Sequence, residues 1–362
     1  MLTRLLVDRR DFIARTLLAG SAAFGSVSLT EMLAAAEKVA ATPAEKSPTA
    51  ESSATVEKSE FPALPQPISS FGAVRTGDWL YVYSGHTGGA HQHSKQNLAM
   101  HFQRLNLAAP KAWEALPVGP GLQSVALVAH GDSVYRVAGL SALNEKGEKE
   151  NLVSVTDFFR FDPVAKSWSP LEPLPEGRSS HDAIVVGSKL YVVGGWNLKT
   201  GDAKWHDKSL VRDLADKDAK WQELPAQPFK RRALAVAALD GKIYAIGGMT
   251  SENKPSRDVH VFDTKSNTWS AGPELPGEKM NGFGSAALAV DGKLYATGMD
   301  GNVYLLSADG KAWESLGKLA HPRFFHRLVD GGANSLLAVA GASMQEGHFD
   351  SIERFSIAPG KK

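Results

Sequence analysis

The chain has 362 residues, with 40 basic against 39 acidic side chains, a formal net charge of +1 and no cysteine. Balanced charge leaves no electrostatic footprint for nucleic acid or an anionic membrane. The absence of cysteine excludes thiol catalysis, thiolate zinc sites and any cofactor cross-linked through sulfur.

At the N-terminus, Asp8-Arg9-Arg10-Asp11-Phe12-Ile13 resembles the twin-arginine export motif, with Asp8 where Ser or Thr is usual and Ile13 where Leu is commoner. Residues 16–29 follow as a moderately apolar stretch, diluted by Gly20, Ser21, Gly25, Ser26 and Ser28, and Leu33-Ala34-Ala35-Ala36 offers small residues to a signal peptidase. The stretch falls short of the roughly 18 apolar residues needed to span a bilayer. Residues 1–36 are therefore expected to be a cleaved signal peptide, which implies a periplasmic or extracellular chain with no membrane insertion after its removal. Residues 37–60 are Ala, Thr, Pro, Glu, Lys and Ser with scarcely a large apolar group, the composition of a flexible linker. The folded part is expected over 61–362.

From residue 61 onward one unit returns about every fifty residues, a period that belongs to solenoids, propellers or arrays. One copy runs Gly177-Arg178-Ser179-Ser180-His181, then an apolar run over 183–187, then Lys189-Leu190-Tyr191-Val192-Val193-Gly194-Gly195, and closes at Trp221-Gln222-Glu223-Leu224-Pro225. The next has Arg231, an apolar run over 235–239, Asp240-Gly241, Tyr244, Gly247-Gly248, Trp269 and Leu275-Pro276. A glycine turn joining two β-branched or aromatic runs predicts a hairpin. A third strand follows at 156–162 or 258–263, and after a further turn Trp168 or Trp269 opens a fourth. Four antiparallel strands make a propeller blade.

The pattern resembles the kelch repeat: an apolar strand, a glycine pair, a tyrosine three places before it, and a tryptophan after the third strand. Tyr81, Gly85 and Trp113 hold these places in blade one, with Ser84 replacing a glycine; Tyr135, Gly139 and Trp168 do so in blade two, with Ala138 substituting. Blade five has Tyr295, Gly298 and Trp313, and blade six, the most degenerate, keeps Ala340-Gly341 and the strand 351–355. The resemblance implies an all-β, six-bladed propeller. Blade six lacks a tryptophan strand, while Phe61-Pro62-Ala63-Leu64-Pro65 is a spare copy of the aromatic-to-Leu-Pro segment. This N-terminal strand is expected to close the ring beside blade six, covering an edge that would otherwise stay unpaired.

Strands of a propeller are occupied in packing, so function is expected on connecting loops and the axis. Arg178-x-x-His181 and Arg323-x-x-His326 precede the innermost strands of two blades, and Arg231 holds the arginine place in a third. Equivalent positions in a ring face one axis, so these arginines are candidates for a carboxylate or sugar, with the histidines as proton carriers. The alternative is that they belong to the repeat and bond the loops between blades. The loop Gly85 to Ser94 carries His86, His91 and His93 but no carboxylate; it is a candidate ligand surface, and no metal or cofactor is assigned to it. The insertion from Trp196 to Asp207 places Trp196, Trp205 and His206 together, either as a carbohydrate platform or packed down on the blade.

Two functions remain open. One is a monomeric binding module for a glycan, a small sugar acid or a protein partner, the commonest use of kelch rings. The other, implied by resemblance to the sialic acid mutarotase type in size, blade count and expected location, is a cofactor-free sugar mutarotase. The kelch copper radical oxidases are excluded, because their cofactor needs a cysteine.

Overall fold

Each apolar run that ends in a glycine turn folds back on its neighbour, and the computed structural model describes the result for residues 60–332 and 334–357. The expected signal, 1–36, and linker, 37–60, lie outside the described residues save Glu60. Blade one comprises Gly72–Thr76, Trp79–Tyr83, Phe102–Asn106 and Glu114–Leu116, in order from the axis outward. Blade four repeats this with Ala235–Leu239, Lys242–Ile246, Val259–Asp263 and Thr268–Ala271. Blade five repeats it with Ala286–Val290, Lys293–Thr297, Asn302–Leu306 and Trp313–Lys318.

Blades two and three depart from the plain pattern together. The insertion of blade three folds as a rim hairpin, Trp196–Lys199 with Asp202–Trp205, and attaches through Lys199 to Val153 in the long third strand of blade two. Blade six has Arg327–Asp330, Ser335–Val339 and Ile352–Ser356. The place of its fourth strand is filled from the N-terminus: Leu64 N–H donates to Asp350 O at 2.8 Å and Ile68 N–H to Phe349 O at 3.0 Å. Phe61, Leu64 and Ile68 pack in one apolar cluster with Val339 and Ile352 of blade six and Leu80 of blade one. The segment is held by burial and separate hydrogen bonds rather than a continuous ladder among the described residues. Pro62 and Pro65, which have no N–H to donate, account for that irregularity.

A second repeated contact shows that the closure is equivalent to the other joints. The indole of each blade's tryptophan donates to a carbonyl at the fourth strand of the preceding blade: Trp168 to Pro117, Trp221 to Glu172, Trp269 to Pro225 and Trp313 to Pro273, at 2.8–3.3 Å. Trp113 of blade one donates to Pro62 at 3.0 Å. The leading segment thus offers blade one the same acceptor that a fourth strand offers elsewhere.

Immediately before each innermost strand, one residue takes left-handed backbone: Ser70, Ser124, Ser180, Ala233, Gly284 and Phe325, all with φ between 51° and 65°. Their peptide groups join in a closed circle. Ser124 N–H donates to Ser70 O, Ser180 to Ser124, Ala233 to Ser180, Gly284 to Ala233, Phe325 to Gly284 and Ser70 to Phe325, at 2.5–3.3 Å. This conformation costs roughly 1–2 kcal/mol for a residue with a Cβ, and a tangential hydrogen bond at every step offsets it. The glycine that ends the second strand has a steric reason: a Cβ on Gly341 would lie 2.6 Å from His326 Cβ.

Candidate functional site

Arg178, Arg231 and Arg323 are 3%, 1% and 0% exposed, and each is taken up inside its own blade. Arg178 donates to Gly194 O and Lys208 O, both at 3.1 Å. Arg231 donates to Gly247 O at 2.7 Å and Asp258 O at 2.5 Å, with His260 Nδ1 3.0 Å away. Arg323 donates to Ala340 O at 3.1 Å and pairs with Glu353 at 2.9 Å. Each guanidinium ties the end of the second strand to the start of the third, so of the two readings the arginines fit the one in which they belong to the repeat, as three separate internal braces.

The histidines that follow are enclosed as well. Burial, then Arg178 and Arg327, push His181 well below the usual range, against a backbone contact with Val137 that raises it. Burial, reinforced by Arg323 and Arg327, pushes His326 down to about 3, and its Nε2 lies 2.8 Å from Thr297 Oγ1. Both rings are neutral at pH 7 and sealed from an outside ligand. Neither can carry a proton to one.

On blade one, His91 turns out to solvent in left-handed backbone, while the rings of His86 and His93 lie 4.9 Å apart, tilted by 46°. The third ring of the cluster comes from blade six: His348 lies 5.5 Å from His86. Burial lowers His86 and pushes His93 and His348 down to about 4. His86 Nε2 is 3.0 Å from Gln92 O, and His93 Nδ1 is 3.0 Å from Gln123. Among the described residues no group of three His, Cys, Asp or Glu has the geometry to hold a metal ion. The cluster is a neutral seam between the first and last blades.

The rim hairpin of blade three builds a different surface. Cross-strand pairing brings Trp196 opposite Trp205, with ring centroids 5.3 Å apart, and leaves both half-buried. His206 turns inward, its Nε2 3.1 Å from Gly177 O, and burial pushes it down to about 4. Arg232 of blade four lies over Trp196 at 4.5 Å and within 5.9 Å of Trp205 and 6.0 Å of Phe283. Burial alone pushes Arg232 down to about 10; among the described residues no carboxylate pairs with it and no acceptor takes its guanidinium hydrogens. Phe283 continues the aromatic arc to Phe325 at 5.0 Å, beside the axial mouth. A cation clamped on indole faces, with its donor edge unengaged, suits a planar oxyanion flanked by an apolar sugar face. The trait that separates Arg232 from Arg231, Nη groups with no hydrogen-bond partner among the described residues, leaves no mark in the sequence.

Below the peptide circle the axis is plugged. Arg327 of blade six crosses to Asp182 of blade three at 2.7 Å and donates to Phe71 O at 3.3 Å and Val125 O at 3.4 Å. The second oxygen of Asp182 accepts from Val236 N of blade four at 2.9 Å. The remaining channel, about 400 Å³, is lined by Ala73, Val128, Val185, Val236, Leu288 and Val329 of the innermost strands and runs toward the face where Arg75 pairs with Asp330 at 3.1 Å. The Arg327–Asp182 pair thus stands across the axis between that channel and the rim side, where the rim hairpin and its neighbours are the surface offered to a ligand.

Residues 165–329 match the family described as "FKB95, Kelch-repeats domain". Kelch repeat and BTB domain-containing protein 12 of Danio rerio is 25% identical over 229 residues, 60% of this chain and 36% of that protein. Kelch-like protein 33 of Homo sapiens is 33% identical over 136 residues, 36% of this chain and 24% of that protein. The chain thus spans well under half the length of the curated relatives it matches. Among solved structures, that of YjhT superposes with a TM-score of 0.67 at 18% identity, over 83% of this chain and 98% of that one, a likeness of fold.

Proposed function

We propose, from the premise that this chain is a six-bladed β-propeller whose residues 165–329 match a kelch-repeat family, that it acts as a binding module whose rim hairpin holds a carboxylate-bearing glycan or small sugar acid. Kelch domains generally mediate protein–protein interaction, and an acidic protein segment offers the same group to the same surface. The observation that carries this reading is Arg232, stacked on Trp196 with no acceptor for its guanidinium. The twin-arginine-like leader supports a location outside the cytoplasm.

Binding of free sugars by saturation-transfer NMR tests it. Carboxylated sugars are expected to bind more tightly than neutral ones, and Arg232→Gln is expected to weaken the former about tenfold or more, the worth of a charge-assisted hydrogen bond. Trp196→Ala and Trp205→Ala should weaken both kinds. Unchanged binding in Arg232→Gln rejects the reading.

A mutarotase would also need an acid and a base beside the anomeric carbon. With His181 and His326 enclosed and neutral, binding without turnover is the reading the geometry favours. Faster anomeric exchange of a sugar acid in the presence of the protein would reverse that preference.

A further inference from the structure

The residue just before the aspartate or its equivalent at the end of the third strand is apolar in five blades: Leu105, Phe161, Phe262, Leu306 and Phe355. Leu105, Phe161, Phe262 and Phe355 face apolar partners on the second strand, Leu80, Val134, Ile243 and Leu336 respectively, and Leu105, Phe161, Phe262 and Leu306 are at most 5% exposed. In blade three the same register, opposite Leu190, is held by Arg212, which is 4% exposed. A charge at a position that five repeats fill with hydrocarbon breaks the local rule, and such breaks concentrate at functional sites.

Arg212 has no carboxylate within ion-pair distance among the described residues. Its Nη2 donates weakly to Lys217 O at 3.3 Å, its Nη1 is buried without an acceptor, and its guanidinium lies 5.6 Å from the Phe158 ring. It lines a cleft of about 450 Å³ between blades two and three, with Tyr135, Arg160, His130 and Lys217. The acidic groups of the same cleft are partly occupied: Asp213 and Asp216 accept from Ala215 N and Asp218 N of their own turn, and Asp132 stands exposed at the edge. A buried guanidinium with no counter-charge, and with Nη1 left without an acceptor, is costly unless something in the cleft supplies them.

We propose that this cleft binds the oxyanion of a small polar molecule, a carboxylate or a phosphate, with Arg212 as the recognising cation and Arg160 beside it. The site lies away from the rim hairpin and does not depend on the function proposed for it.

The full chain is melted, and titrated calorimetrically, in sodium phosphate, in sodium acetate and in sodium chloride at equal ionic strength. The expected result is a rise in Tm with phosphate or acetate that chloride does not reproduce; the more effective anion identifies the group recognised. Arg212→Leu, which restores the residue type of the other five blades, should fold without loss of Tm and abolish the anion-specific rise; Arg212→Gln serves if the leucine variant does not fold. Arg232→Gln should keep the rise. No rise beyond chloride, an equal rise in Arg212→Leu or Arg212→Gln, or a rise lost in Arg232→Gln alone would each overturn the proposal and leave Arg212 as a cation packed on Phe158.

Discussion

Arg231 and Arg232 are neighbours in the chain and opposites in the fold. The first is wholly enclosed and gives its hydrogens to Gly247 and Asp258; the second lies on the rim against Trp196 with nothing to accept from it. The inner arginines, 178, 231 and 323, act as mortar within their blades, and the outward cation is the one with capacity left for a partner. Charge alone did not distinguish them. What decides is whether the repeat has already supplied an acceptor.

Substitutions can sharpen or break this contrast. Arg323→Ala leaves Glu353, only 16% exposed, with backbone N–H donors but no cation, and should cost about 3 kcal/mol in chemical denaturation, the low end for a buried pair deprived of one member. A loss below about 1 kcal/mol would remove Arg323 from the structural set. Asp182→Asn weakens the pair across the axis and should cost about 2–3 kcal/mol, from its charge-assisted bonds to Arg327 and Val236 N.

Acid supplies a third probe. His326, near 3, and His93 and His348, near 4, are bases whose folded values lie below the ordinary 6.5, so the unfolded chain takes up their protons first. Their contribution is complete above pH 6.5 and declines as pH falls toward 4, and toward 3 for His326. Each contributes a slope of at most about 1.4 kcal/mol per pH unit. Urea melts at pH 7.5, 5.5 and 4.5 (values chosen about the ordinary histidine range) should show this fall, and His93→Gln should flatten it. The smallest expected effect on stability is that of Arg232→Ala, within about 1 kcal/mol, although it removes the cation proposed to hold a ligand. A large loss there would place Arg232 with the braces.

The scaffold was legible because its signals repeat. Tyr81, Tyr135, Tyr191, Tyr244 and Tyr295 recur in register and are all buried, and the spare Phe61-Pro62 segment could be matched to the place left open in blade six. The site was much less legible. His348 joins His86 from the far end of the chain, and Phe283 reaches Arg232 from another blade, so no local spacing announces either contact. Arg178 and Arg323 admitted both a functional and a structural reading because they recur, and recurrence in a repeat protein first reports the demands of the repeat. Arg212 shows the converse signal, a single copy that departs from its equivalents.

The circle of peptides at the axial mouth bears on how any ligand is drawn there. Its donors all point one way round and its acceptors the other, so the components of the bond dipoles in the plane of the ring close head to tail and cancel. At the start of a helix the unpaired N–H groups present a positive pole; here the six ring N–H groups are all taken up by one another. Whatever sign of charge the mouth prefers is written by a few side chains, and one substitution among them is enough to rewrite it.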